Sequence, residues 1–159
     1  LKIVVKAGQE MQLFILSGGK SEDRWRAMVG DLGLRSFVTF AGPLTDWTAM
    51  RKAMLAADFH VIPDIGGRFV ATSLIALAGG LATLAPEGTI EDYLINGQTA
   101  CLFEAGYHKD LARKWLALLQ DRDATRRLGE SALQYARACH QASGMVSETA
   151  AMYRRLCTT

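Results

Sequence analysis

A chain of 159 residues is long enough for one ordinary domain with a real core, and half of it is apolar, which excludes a disordered chain. Eighteen basic and sixteen acidic residues are interleaved, and the net charge of +2 is too small to argue for nucleic acid as a partner. The three cysteines, Cys101, Cys139 and Cys157, form no CxxC pair and no zinc-type spacing. They read as small buried hydrophobes in a reducing compartment.

The opening, Leu1–Glu10, has no signal-peptide layout and reads as the tail of a helix already under way. An excised piece of a longer protein is the expectation. Leu13–Leu16 reads as a buried strand ending in Ser17-Gly18-Gly19. Ser21 then stands where a helix cap belongs, with Glu22 and Asp23 suited to the helix dipole. Trp25, Met28, Val29 and Leu32 fall on one apolar face, and Gly33 is placed to end that helix. Phe37–Phe40 is the next strand. Thr45 or Asp46 caps a helix in which Trp47, Met50 and Met54 share a face. Phe59–Pro63 is a third strand, followed by a glycine-containing loop, Asp64–Arg68, and an uncharged helix, Phe69–Gly79.

Leu81–Ala85 is a fourth strand, Glu91–Leu94 a short helix, Asn96-Gly97 a turn and Ala100–Phe103 a last strand. The remainder is helical. Leu111, Trp115, Leu118 and Leu119 line one face, with Lys109, Arg113 and Lys114 opposite. Asp123 caps a second helix with Leu128, Ala132, Tyr135, Ala136 and Cys139 inward, and Val146, Thr149, Ala150 and Tyr153 mark a third. Strand–helix alternation with nearly continuous apolar strands predicts an α/β fold, a Rossmann-like parallel sheet covered by helices on both faces. No linker or repeat divides residues 1–159, so one domain is expected. Phe69–Pro86 carries no charge, but Gly79-Gly80 breaks it and Thr72, Ser73 and Thr83 dilute it, so buried elements fit better than a membrane span.

A strand that feeds a loop and then a helix N-terminus is a place to hold phosphate. Gly18 and Gly19 allow close backbone approach after the first strand, and Lys20 supplies a cation. Gly66 and Gly67 free the later loop, Arg68 is suited to clamp a phosphate bidentately, and Thr72 and Ser73 lie in the first helical turn. His60, inside a strand, reads as a satisfied core or edge histidine. His108 and His140 read as surface residues at helix ends. No spacing supports a Ser/His/Asp or Cys/His arrangement.

The ordered series Leu13–Gly19, Leu32-Gly33-Leu34, Phe40-Ala41-Gly42, Ala56-Ala57-Asp58 with Pro63, then Phe69, Ala76, Gly80, Gly88 to Glu91 and Asn96-Gly97-Gln98-Thr99 resembles the C-terminal domain of GT-B retaining glycosyltransferases of group 1. The resemblance covers nearly the whole chain, and the shared order and spacing carry it more than any single motif. It implies a domain that binds a nucleoside-diphosphate sugar, with the diphosphate held by backbone amides and basic side chains and no metal required. It implies a separate N-terminal acceptor-binding domain, so the isolated domain is not expected to be active. It implies a cytoplasmic protein, or one peripheral to the inner face of the membrane, and no catalytic residue can be assigned. Carried over by position, the donor-binding set is Gly18, Gly19, Lys20, Gly66, Gly67, Arg68, Phe69, Val70, Thr72 and Glu91. Glu91 keeps the family's distance from Gly88, whereas Asp92 keeps the distance to Gly97.

The departures are specific. The family's two glutamates, eight positions apart, fall on Gly67 and Ile75, neither of which bonds a hydroxyl through its side chain. Val70 stands for a glycine, Leu81 for a proline and Ala100 for a glycine. Either the donor is gripped differently or the domain no longer transfers sugar. The readings are therefore the donor half of a glycosyltransferase; alternatively, a degenerate glycosyltransferase-like binding module; or an unrelated nucleotide-binding domain, against which the lack of GxGxxG and of a P-loop speaks.

Overall fold

The computed structural model describes residues 1–16, 18–63 and 71–157. The order of elements is α1 (Lys2–Lys6), β1 (Leu13–Ile15), α2 (Glu22–Asp31), a 3-10 turn (Arg35–Phe37), β2 (Val38–Phe40), α3 (Trp47–Leu55), β3 (Phe59–Val61), α4 (Ala71–Ala78), β4 (Ala82–Pro86), β5 (Cys101–Phe103), α5 (His108–Gln120), α6 (Arg122–Cys139) and α7 (Ala142–Cys157). The expected α/β alternation is present, and every described strand pair is parallel. Among the described residues, the strands do not form one hydrogen-bonded sheet. β1 pairs with β2, and β3, β4 and β5 form a second sheet in that order.

β4 is the centre of the larger sheet, and all five of its residues are buried. Its side chains alternate between two cores. Leu84 joins Val4, Phe103, Ala112 and Trp115, with Leu13, Phe59 and Val61 packed against them. Ala85 joins Ile62, Leu77, Ala132 and Ala136. α5 thus covers one face and α4 with α6 the other, which is why a continuous apolar run was needed here.

α6 lies very close to the turn after α4. A Cβ on Gly129 would run into the backbone carbonyl of Gly80, which is itself in the left-handed region at φ +71°. Only hydrogen at position 129 lets the helix sit this near the chain.

Helix ends follow local chemistry, with two corrections. α2 ends in a Schellman motif: Gly33 has φ +69°, and Leu34 and Gly33 donate to the carbonyls of Val29 and Gly30. Asp46 caps α3 by accepting from Thr48 and Ala49. Ser21 sits at the N-cap of α2 but makes no side-chain bond, because its backbone is already helical (φ −97°, ψ 0°) rather than extended. α6 starts before the expected Asp123; Asp121 is its cap, accepting from Ala124 at 2.8 Å. Glu91–Leu94 is a hydrogen-bonded turn, not a helix.

Burial overturns several expected contacts. Trp25 and Met28 lie on α2 and Leu32 is its C-cap, but none is buried, and α2 instead lays Arg26 over the Phe40 ring at 4.3 Å. Trp47 is 72% exposed, although Met54 on the same helix is buried. Cys139 and Cys157 are exposed and Cys101 is half-buried, so the cysteines are not a set of core hydrophobes. α7 forms as a helix with no buried residue. Among the described residues, no helix is long and apolar enough to cross a membrane.

Candidate functional site

In parallel strands the C-terminal ends share one edge, and connections to the following helices open there. β1 leads to Gly18, Gly19 and Lys20, all three of them exposed. Gly18 is tight: a Cβ there would stand 3.1 Å from Pro43 Cδ and 3.3 Å from Glu22 Oε2. Gly19 has φ +143°, a conformation suited to glycine. β3 leads toward residues 64–70, so Gly66, Gly67, Arg68, Phe69 and Val70 lie outside the described residues. Thr72 is half-buried in the first turn of α4, and Ser73 beside it is fully buried.

β4 leads into the turn that carries Glu91. Burial separates the two acidic candidates there: Glu91 is 5% exposed, whereas Asp92 faces solvent. The segment after Glu91 is tied down by side chains. Thr99 Oγ1 accepts from the Ile95 amide at 2.7 Å and donates to the Tyr93 carbonyl. Asn96 Oδ1 accepts from the Leu102 amide at 3.0 Å, and Gly97, at φ +75°, makes the expected turn.

Tyr93 joins this segment to α4. Its hydroxyl is 2.7 Å from Ser73 Oγ, in a buried hydrogen bond between residues twenty apart. Burial raises the Tyr93 pKa, the Ser73 bond lowers it, and the charges of Glu91 and Asp92 raise it again. The His140 ring meets Tyr93 edge-on, with centroids 5.3 Å apart, and also tilts against Tyr135. The start of α4, the Glu91 turn and the end of α6 are therefore one packed unit. Thr72 and Glu91 belong to that unit, whereas Gly18, Gly19 and Lys20 belong to the β1 half. The sequence did not single out Tyr93, because no local pattern links it to Ser73, whereas Thr99 falls in the expected turn motif and His140 is exposed at a helix end as expected.

Tyr93→Phe removes one buried hydrogen bond, and it is expected to cost about 1 kcal/mol of stability. Urea unfolding of the two proteins measures it; an unchanged midpoint would mean that the bond contributes nothing.

His60 is not the satisfied histidine expected. It lies in β3 opposite Thr83, and its Nδ1 is buried with no hydrogen-bond partner among the described residues. Burial lowers its pKa to about 4, so the ring is neutral at neutral pH and carries no charge for a ligand.

Residues 1–121 match the family described as "Glycosyl transferases group 1". The chain belongs to that family. A D-inositol 3-phosphate glycosyltransferase from Nocardia farcinica is 29% identical over 139 residues, covering 85% of this chain and 31% of that protein. The fold of this glycosyltransferase domain superposes on sucrose-phosphate synthase from Thermosynechococcus elongatus with a TM-score of 0.84 and 22% identity, over 99% of this chain and 42% of that one. It superposes equally well, at 0.84 and 17% identity, on Anabaena HepE in complex with UDP, over 96% of this chain and 44% of that one. These likenesses establish the C-terminal domain of the GT-B fold. The glycosyltransferase domain spans less than half the length of each of these relatives.

Proposed function

We propose that this domain is the donor-binding half of a glycosyltransferase that moves a sugar from a nucleoside-diphosphate sugar to a glycan or lipid-linked acceptor. The family match over residues 1–121 carries the reading. The UDP bound by the Anabaena relative supports the nucleotide class. In this reading an N-terminal domain supplies the acceptor site, and the protein works in the cytoplasm or at the inner face of the membrane.

The donor diphosphate is held without a metal. The N-terminus of α4 carries partial positive charge, and donors already fixed in place stabilise a leaving diphosphate without reorganising. Lys20 and Arg68 supply the cations, and Gly18, Gly19, Gly66 and Gly67 admit the phosphates to the backbone. Phe69, Val70 and Thr72 complete the approach to the helix. With Gly67 and Ile75 in place of carboxylates, the buried Glu91 is the acceptor at this end for a sugar or ribose hydroxyl.

Titration calorimetry with UDP, GDP and ADP on the natural polypeptide tests this. One nucleotide is expected to bind, and Lys20→Ala or Arg68→Ala is expected to weaken it about tenfold, the loss of one charge-assisted bond. A folded protein that gives no heat with any of the three would favour the partner-binding module instead.

A further inference from the structure

α4 carries different chemistry on two of its faces. Ile75 packs with Met50 against Met54, Ala76 and Leu81. Leu77 belongs to the core that holds Tyr93, Ala132 and Ala136. Ser73 stands one turn before Leu77 and brings a fully buried hydroxyl to that second face. A buried hydroxyl is costly unless it is bonded. Serine in a helix ordinarily bonds to nearby backbone, but Ser73 reaches the Tyr93 hydroxyl, twenty residues on in the chain.

Tyr93 stands two positions after Glu91 in one turn, which the Leu94 amide closes by donating to the Glu91 carbonyl at 3.1 Å. Thr99 holds the Tyr93 carbonyl, and the His140 ring braces the phenol edge-on. The charge of Glu91 raises the Tyr93 pKa through space, so the carboxylate lies near the phenol. The Ser73–Tyr93 bond is therefore a short tie between the first turn of α4 and the acidic residue of the next connection. Neither Gly67 nor Ile75 carries a group that bonds a hydroxyl. The grip on a ligand hydroxyl then falls to Glu91 and depends on how firmly its turn is held. A site keeps its affinity only while its groups stay within about 0.5 Å of their working places.

We propose that Tyr93 is a positioning residue for the donor. Its bond to Ser73 fixes the separation between the first turn of α4, which receives the diphosphate, and the Glu91 carboxylate, which accepts from a hydroxyl of the same ligand. The inference rests on the donor-binding reading above. It makes Tyr93 act through Glu91, without touching the ligand itself.

Titration calorimetry on the natural polypeptide tests this with UDP, GDP and ADP and with UDP-glucose, GDP-glucose and ADP-glucose. Tyr93→Phe and Ser73→Ala each remove one half of the bond, and each is expected to weaken binding about fivefold to tenfold. Glu91→Gln keeps the shape of the side chain and removes its charge. In that background, Tyr93→Phe is expected to add less than about a twofold loss, because its effect runs through Glu91. Weakening of the nucleotide itself assigns Glu91 to the ribose, and weakening of the glucose conjugate alone assigns it to the sugar. Full, additive losses from Tyr93→Phe and Glu91→Gln would overturn the proposal, since the bond would then serve the fold at large. So would a parent that binds and a Tyr93→Phe variant that binds equally well, and that result leaves the donor reading standing. A folded parent that gives no heat with any of the six overturns both.

Discussion

Gly129→Ala is expected to destabilise the domain by about 3 kcal/mol or more, the upper range for overpacking, because the added methyl meets backbone and not a side chain that can swing away. The obstacle is the Gly80 carbonyl, held by a left-handed turn between α4 and β4. Relief requires α6 to retreat, which opens the core that Ala132 and Ala136 share with Leu77 and Ala85. Gly→Ala inside a helix ordinarily helps by up to about 1 kcal/mol, so the sign itself is diagnostic. Denaturant unfolding of the purified variant measures it. A variant as stable as the parent would show that α6 does not lie against the turn.

The second large effect is acid sensitivity. His60 has a folded pKa of about 4, against an ordinary value of 6.5, because its ring is buried. Between those values the unfolded chain takes up a proton that the folded chain refuses. His60 therefore leaves stability intact above pH 6.5. It erodes stability as the pH falls toward 4, by about 3 kcal/mol in all, and adds no further loss below that. His60→Leu should remove this part of the acid slope while carboxylate contributions remain. Urea midpoints at pH 7 and pH 4.5 for both proteins give the comparison; parallel shifts in the two would sink the idea.

Much of the fold could be read from the residues, and the failures have physical causes. β4 was legible because a strand buried on both faces must be apolar throughout, and α5 because Leu111, Trp115 and Leu118 repeat with the helical period. Trp25, Met28 and Leu32 repeat just as well, yet periodicity reports that a face is apolar and not that anything covers it. Capping residues were found by type, but whether one caps depends on its backbone angles, which separates Asp46 from Ser21. At the candidate site, spacing left Glu91 and Asp92 in competition, and burial distinguished them. The Ser73–Tyr93 bond and the contact of Gly129 with Gly80 join residues distant in sequence, so no local pattern carries them.

α7 gives the chain two different stabilities. Its sixteen residues form a helix in which Met145, Val146, Met152, Tyr153 and Leu156 all face solvent. Hydrophobic burial therefore does not hold this helix to the rest, and an isolated helix of this length is marginal in water. Helicity and core melting then need not coincide. Circular dichroism counts α7 with the other helices, while the near-ultraviolet signal of buried Trp115 follows the cooperative core alone. A single unfolding free energy is defined only for that core, and mutational effects are best compared on a probe that α7 does not touch.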